Sequence, residues 1–138
     1  MLRIEPVLLA QYVRPGKVKI QFWHILDFPN SVQASAAAEC AGQQGAFWRM
    51  HDLLFQNQDR LWRADETVLT ELAATLGLDT AAFGACLAGG EMHERARAVD
   101  RAAKAQGVRV RPTFEINGQR IQGSPHIEEW MRLLDRLP

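Results

Sequence analysis

The spacing of apolar residues predicts two different elements near the start of the chain. Residues 2–13 carry apolar side chains at the spacing typical of the last turns of a helix. Pro15 and Gly16 then predict a turn. Residues 17–23 alternate strictly between polar and apolar side chains, which predicts a β-strand with one apolar face.

Between residues 31 and 107 the apolar residues recur at helical spacing, which predicts a succession of helices. Ser31, Asp65 and Asp79 each precede such a run and are predicted to be N-terminal caps. Gly77 and Gly107 fit the positions where helices end. The middle of the chain is therefore predicted to be a helical block.

The last part of the chain predicts a β-hairpin followed by a helix. Residues 113–116 and 119–122 are separated by Asn117 and Gly118, the pair favoured in a type I′ turn because both residues tolerate positive φ. Ser124 is predicted to cap the final helix, and Pro125 to occupy its first position.

This order of elements predicts one α/β domain over residues 1–138. The helical block at about 31–107 is interpreted as an insertion between two core segments, residues 1–30 and 108–138. No composition shift or linker indicates a second independent domain.

Composition narrows the function classes. The chain has 138 residues, of which 47% are hydrophobic, and 16 basic residues balance 16 acidic ones. Zero formal net charge favours neither nucleic acid nor an anionic membrane as a partner. No apolar run approaches the roughly 20 residues of a membrane span, and no signal peptide is visible in the sequence. Nothing in it calls for a cofactor.

The two cysteines and the four histidines do not form a recognisable reactive motif. Cys40 and Cys86 are too far apart for a Cys-x-x-Cys pair, and no ligand-type neighbours give zinc-site spacing. Trp48, His51 and Phe55 share one helix face, where packing and a hydrogen bond are the favoured role for the imidazole. We predict no metal site.

Two segments are specific enough to suggest a family. Residues 38–58 contain Ala-Glu-Cys-Ala, Gln-Gly-Ala-Phe-Trp and His-Asp-Leu-Leu-Phe, and residues 107–118 read Gly-Val-Arg-Val-Arg-Pro-Thr-Phe-Glu-Ile-Asn-Gly. Both resemble motifs of the DsbA-like thioredoxin-fold thiol:disulfide oxidoreductases, and the resemblance covers essentially the whole chain. It implies a thioredoxin-like fold with an inserted helical subdomain, protein thiols as substrates and an extracytoplasmic location.

The resemblance also implies what the printed chain lacks. The family begins with a strand and a Cys-x-x-Cys at the start of the first helix, where the helix dipole favours a thiolate. Met1 falls part-way along that helix, so we expect a truncated form without the first strand, without the catalytic cysteines and without dithiol catalysis. Two alternatives stay open: a redox-inactive peptide-binding module, and an isomerase or transferase resembling the kappa class of glutathione transferases.

The substrate side of the family site is matched by Arg111, Pro112 and Thr113. The resemblance implies that Pro112 is cis, whereas an ordinary trans proline at a strand start is the alternative. Val110 and Arg111 depart from the family pattern. The guanidinium of Arg111 would lower the pKa of a neighbouring thiolate, or it points to solvent.

Two further expectations come from the resemblance. Cys40 and Cys86 match positions where some relatives carry a structural disulfide, the alternative being two buried thiols. Without the first strand, two sheet edges would be open, and we expect either a homodimer that pairs through them or direct pairing of the two edges. The apolar residues that would lose cover are Val18, Ile20, Phe22, Phe114 and Ile116.

Overall fold

A computed structural model describes residues 4–62 and 65–137. Leu2 and Arg3, the first residues of the predicted N-terminal helix, lie outside the described residues. The first helix, α1 (Glu5–Leu8), is continued by a π-helical segment, Leu9–Val13. The helices are α1 (Glu5–Leu8), α2 (Ser31–Gln43), α3 (Phe47–Gln56), α4 (Gln58–Leu61), α5 (Glu66–Thr75), α6 (Thr80–Gly89), α7 (Glu91–Ala105) and α8 (Ile127–Leu134), and the strands are β1 (Thr113–Ile116) and β2 (Gln119–Gln122).

The chain divides into two compact units. The core unit consists of Met1–Phe22 and Gly107–Pro138, and the helical unit consists of Trp23–Gln106. The core unit therefore combines both ends of the chain, whereas the helical unit is continuous in sequence.

The core unit is built on the β1–β2 hairpin and α8. The strands pair antiparallel, with Phe114 opposite Ile121. Asn117 and Gly118 have φ angles of 47° and 84°, as the predicted two-residue turn requires, so the predicted hairpin is confirmed. Phe114 meets Trp130 of α8 edge to face, with ring centroids 4.6 Å apart. The buried residues of this unit's hydrophobic core are Leu8, Tyr12, Trp130 and Leu134.

The predicted strand at residues 17–23 is not formed, and that prediction was wrong. In the described part of the chain the sheet contains β1 and β2 alone. Val18 and Ile20 are half-buried and Lys19 is exposed, but Phe22 is exposed like Gln21, so burial alternates only as far as Ile20. A strand is defined by hydrogen bonds to a neighbour, which an alternating sequence cannot supply by itself. The alternative expectation, direct pairing of this segment with the hairpin, is likewise not realised.

The predicted start of the last helix was also wrong. His126, not Ser124, is the residue before α8, and its backbone is extended, with a ψ angle of 159°. Ser124 is exposed and Pro125 is buried. Because the chain stays extended through His126, Pro125 serves as an interior packing residue ahead of the helix.

Two of the three predicted caps in the helical unit are confirmed. An Asp65 carboxylate oxygen accepts a hydrogen bond from the Val68 N–H at 3.1 Å. Asp79 caps α6 by accepting from the N–H groups of Ala81 and Ala82. The prediction that Ser31 caps α2 was wrong. Ser31 lies inside α2, and its hydroxyl accepts a hydrogen bond from the Phe28 N–H upstream of the helix.

Helix α2 lies at the centre of the helical unit, in contact with α3, α5, α6 and α7. Its buried face consists of small residues, including Ala36, Ala37 and Ala41, which are fully buried. Small side chains let neighbouring helix backbones approach closely, so the apolar side chains of those helices close over α2. Phe83 of α6 and Leu69 of α5 are among the largest fully buried side chains.

Tyr12, the single tyrosine of the chain, allows a pH test of the core unit. Its hydroxyl donates to an Asp135 carboxylate oxygen at 2.8 Å. Burial, followed by that hydrogen bond and the carboxylate charge, raises the pKa of Tyr12. The protonated phenol therefore stabilises the folded chain fully at pH values below the tyrosine pKa of the unfolded chain, about 10. This stabilisation is lost as the pH rises through the higher pKa of Tyr12 in the folded chain.

We therefore expect tyrosinate absorbance to develop above the pH at which free tyrosine titrates. Since no other tyrosine contributes, a spectrophotometric pH titration measures this group directly. Asp135→Asn should bring the midpoint closer to that of free tyrosine while leaving the effect of burial. A wild-type midpoint at or below that of free tyrosine would contradict the buried hydrogen bond.

Candidate functional site

The segment that precedes β1 forms an exposed loop. Arg109, Val110, Arg111 and Pro112 are all exposed, and Thr113 is half-buried. The Arg111–Pro112 peptide bond is cis. The structure thus brings the three predicted substrate-side residues, Arg111, Pro112 and Thr113, together on one accessible turn.

Two hydrogen bonds tie this loop to the hairpin. The Thr113 hydroxyl donates to the Val110 carbonyl. The Gly123 N–H donates to the Pro112 carbonyl at 2.9 Å, which extends the β1–β2 ladder by one pair. The β1–β2 hairpin therefore holds the C-terminal end of the loop, and this fixes the backbone that carries the side chains of the loop.

The hydrogen-bond register of the hairpin determines which backbone groups point away from it. Bonded and non-bonded pairs alternate along an antiparallel ladder. Because Pro112 is bonded to Gly123, Phe114 and Ile116 also direct their N–H and C=O groups toward β2. The backbone groups of Thr113 and Glu115 consequently point to the opposite edge of β1.

Three arginines belong to this part of the core unit. An Arg120 nitrogen lies 3.2 Å from a Glu115 carboxylate oxygen across the hairpin. A second Arg120 nitrogen lies 3.6 Å from the position that a Cβ on Gly107 would occupy. Arg109 donates to the carbonyl of Val108. The loop and hairpin, residues 107–123, therefore contain three arginines, Arg109, Arg111 and Arg120, and one glutamate, Glu115.

Both cysteines of the chain form one disulfide. Cys40 of α2 and Cys86 of α6 are joined, with Cα atoms 5.8 Å apart and a sequence separation of 46. Cys40 is 1% exposed. Since the chain has two cysteines, it offers no free thiol, and the pair sits within the helical unit.

The histidines that are buried have packing and hydrogen-bond roles. The His51 Nδ1 lies 3.0 Å from an Asp52 carboxylate oxygen, and its ring meets Trp48 edge to face and lies tilted against Phe55. The His24 Nε2 lies 2.9 Å from a Glu39 carboxylate oxygen. These contacts agree with the structural role expected for His51.

The sequence analysis did not identify a cluster of hydrogen bonds and ion pairs around Asp100. Its carboxylate accepts from the Leu26 N–H at 2.9 Å and pairs with Lys104, which also reaches Asp27. Desolvation raises the pKa of Asp100, but the hydrogen bonds from Leu26 and Lys104 and the charges of Lys104 and Arg101 outweigh it, so the pKa is lowered. The spacing of four residues between Asp100 and Lys104 on one helix is the sequence feature that could have indicated their ion pair.

Comparison with known proteins identifies relatives of the whole chain. Residues 3–136 match the family described as Thioredoxin. The crystal structure of alpha-DsbA1 from Wolbachia pipientis superposes with a TM-score of 0.81 at 19% sequence identity, covering 97% of this chain and 75% of that one. This likeness shows the fold.

Curated relatives share a shorter segment. Na⁺/H⁺ antiporter NhaA 3 of Salinispora tropica and NhaA 1 of Salinispora arenicola are each 45% identical over 101 residues. That segment covers 72% of this chain and 15% of each antiporter, so the chain spans a small part of their length. Among the described residues, no helix is both long and apolar enough to cross a membrane.

Proposed function

Because the chain belongs to the thioredoxin family and has a DsbA-like thioredoxin fold, we propose that it is the substrate-binding part of a thiol:disulfide oxidoreductase that acts on protein thiols. We further propose that these 138 residues alone are catalytically inactive. The observation that carries the proposal is that the Arg111–Pro112–Thr113 loop is formed and exposed, while both cysteines are joined in the helical unit.

The inactivity follows from the chemistry of thiol–disulfide exchange. A thiolate attacks one sulfur of a disulfide, forming a mixed disulfide and releasing the other sulfur as a thiolate. A second thiolate then resolves the mixed disulfide. To oxidise a protein thiol, the chain would have to let the substrate thiolate attack the Cys40–Cys86 disulfide, and Cys40 is buried in the helical unit. To reduce a disulfide, the chain would need a free thiolate, and the bonded Cys40 and Cys86 offer none.

The disulfide also supports an oxidising location. Structural disulfides form and persist in extracytoplasmic compartments, whereas cytosolic thiols are kept reduced. The Cys40–Cys86 bond therefore favours the periplasm or cell envelope as the place where the protein works.

The proposal is tested by measuring redox turnover and peptide binding on the same protein. The 138-residue chain should oxidise a reduced, unfolded substrate protein no faster than buffer does. It should bind an extended, cysteine-free peptide, measured by fluorescence anisotropy, and Pro112→Ala should weaken that binding about tenfold, equivalent to ~1.4 kcal/mol. Pro29→Ala, at another exposed proline, is the matched control.

The outcomes separate the alternatives. Turnover that disappears in a Cys40→Ala/Cys86→Ala variant would make these cysteines the reactive pair and overturn the proposed inactivity. Absence of peptide binding would overturn the substrate-binding role. Binding without any redox partner in the organism would identify the redox-inactive peptide-binding module instead.

We also propose that the outer edge of β1 pairs with a second copy of the chain. The backbone groups of Thr113 and Glu115 point to that edge, and within residues 4–62 and 65–137 no strand other than β2 pairs with β1. An edge with unpaired backbone groups is a template for another strand. Glu115→Pro removes one outward N–H without breaking the β1–β2 ladder.

We expect Glu115→Pro to weaken self-association about tenfold or more. The substitution removes the N–H that would donate to the second copy, and the residues next to position 115 then pair less regularly with that copy. Sedimentation velocity over a concentration series measures the dissociation constant. Glu115→Gln, which removes the charge and keeps the N–H, should associate like wild type. A wild-type chain that is monomeric at every concentration would contradict the proposal.

A further inference from the structure

One stretch of the core unit carries positive charge only, although the net charge of the chain is zero. Between Glu5 and Asp27 the sequence contains no acidic residue, whereas it contains Arg14, Lys17 and Lys19. All three side chains are exposed, and they lie in the turn after the π-helical segment and in the residues that follow it. The core unit therefore presents three cations within six residues, without a carboxylate between them.

Backbone hydrogen bonds fold this turn back onto the end of the helix. The N–H groups of Lys17 and Val18 both donate to the carbonyl of Tyr12, at 2.9 and 3.0 Å. Gly16, with a φ angle of 80°, is the left-handed residue at which the chain leaves the helix. Val18 packs against the hydrophobic core of the unit, and the lysines on either side of it, Lys17 and Lys19, are exposed. The fold therefore fixes the backbone from which both lysines extend.

Tyr12 also brings the end of α8 to this turn. The Lys17 ammonium lies 5.9 Å from the centre of the Tyr12 ring, and the Tyr12 hydroxyl donates to Asp135. Arg136, the residue after Asp135, is exposed. The four exposed cations of this region form what we call the basic surface: Arg14, Lys17, Lys19 and Arg136.

Little opposing charge lies beside the basic surface. Among residues 4–62 and 65–137, none of its four cations forms an ion pair. The contacts of Tyr12 place the carboxylate of Asp135 next to them. Arg14 and Arg136 follow helix ends, where cations interact favourably with the last carbonyl groups, but this effect fades beyond the last turn and does not account for Lys19. The basic surface therefore has a formal excess of positive charge that is exposed to solvent.

We propose that the basic surface attaches the chain to a phospholipid bilayer by binding its anionic headgroups. This inference is independent of the proposed peptide-binding and redox roles, because it concerns other residues. Long lysine and arginine side chains on an exposed turn suit a layer of many negative headgroups, since each side chain can meet a different one. Clusters of about four to eight Lys and Arg are typical of segments that bind anionic lipids. With four cations, the basic surface should give weak and salt-sensitive attachment.

The composition of the basic surface favours lipid over single-stranded nucleic acid. Proteins that bind single strands stack the bases on exposed aromatic side chains. Tyr12, the aromatic residue of this region, is 3% exposed and therefore offers no stacking surface. Phosphate groups are common to both kinds of ligand, so the test includes an oligonucleotide.

Cosedimentation of the 138-residue chain with vesicles tests the proposal. We expect binding to phosphatidylglycerol vesicles, whose headgroups are anionic, and no binding to phosphatidylcholine vesicles, whose headgroups have no net charge. Arg14→Gln and Lys19→Gln should each weaken binding about fivefold, the effect of one cation near an anionic surface. Lys19→Glu should weaken binding more than Lys19→Gln does. Salt should also weaken it, because the Debye length falls from about 10 Å at 0.1 M to about 3 Å at 1 M.

Arg101, an exposed arginine of α7 outside the basic surface, provides the matched control. Arg101→Gln removes the same charge as Arg14→Gln and should leave vesicle binding unchanged. Far-UV circular dichroism of each variant should match that of the wild-type chain, because the substituted side chains are exposed. An effect of Arg101→Gln as large as that of Lys19→Gln would mean that overall charge controls binding, and would overturn the proposal.

The remaining outcomes identify the ligand. Equal binding to both kinds of vesicle, or binding to neither, would overturn the proposal. Inorganic phosphate should displace the chain from vesicles no better than chloride at equal ionic strength, and selective displacement by phosphate would indicate a site for a single anion instead. Tighter binding of a single-stranded oligonucleotide than of phosphatidylglycerol vesicles at the same salt concentration would overturn lipid as the ligand class. Pro112→Ala should leave vesicle binding unchanged, which separates this inference from the proposed peptide-binding function.

Discussion

Loss of the Cys40–Cys86 disulfide should lower the free energy of unfolding by about 4 kcal/mol. The bond closes a loop with a sequence separation of 46 residues, and the entropy that such a closure removes from the unfolded chain corresponds to that magnitude. It also links α2, the central helix of the helical unit, to α6. Urea unfolding followed by far-UV circular dichroism, with and without a thiol reductant, measures the difference.

The matched control is the Cys40→Ala/Cys86→Ala variant. Its stability should resemble that of the reduced wild-type chain, and reductant should not change it further. A difference below about 1 kcal/mol between the oxidised and reduced chains would contradict the prediction, and would mean that the unfolded chain is already restricted without the bond.

Trp130→Ala should destabilise the core unit by about 3–5 kcal/mol, the usual cost of removing a large buried aromatic side chain. Trp130 is 4% exposed and its ring meets Phe114 of β1, so it joins α8 to the hairpin. We expect the amide protons of β1 and β2 to lose protection from hydrogen exchange, because the hairpin depends on that contact for its packing. Hydrogen exchange and urea unfolding measure the two effects.

Two other substitutions test the reason for this effect. Trp130→Phe keeps the aromatic contact, and it removes an indole N–H that is buried without a hydrogen-bond partner among the described residues. It should therefore cost well under half as much as Trp130→Ala. Trp62→Ala, at a side chain that is 64% exposed, should change stability by less than about 0.5 kcal/mol. Equal costs for Trp62→Ala and Trp130→Ala would contradict the assignment of Trp130 to the core.

Three elements that depend on local chemistry were predicted correctly from the sequence, although the Ser31 and Ser124 caps were not. Asp65 and Asp79 cap α5 and α6 as expected, because a side-chain oxygen reaches N–H groups only two or three residues away. The Asn117–Gly118 turn formed for the same reason, since positive φ is a property of those two residues. In each case the interacting groups are neighbours in the chain.

Elements that need a distant partner were not predictable in the same way. The alternation over residues 17–23 agrees with burial only as far as Ile20, and a strand also needs a neighbour at hydrogen-bonding distance. The sequence did not indicate the role of Asp100, because the N–H group that donates to its carboxylate belongs to Leu26, 74 residues earlier in the chain.

The candidate site shows the same division. The sequence by itself determined that the printed chain has two cysteines and no Cys-x-x-Cys, and that Arg111, Pro112 and Thr113 are adjacent, because these are properties of residue order. Only the tertiary structure decided that Cys40 and Cys86 are bonded to each other and that the loop is exposed. Those features depend on which residues meet in the folded chain. Residues 1–22 and 107–138 form one unit although 84 residues separate them in sequence. A local sequence pattern does not show such contacts between distant segments.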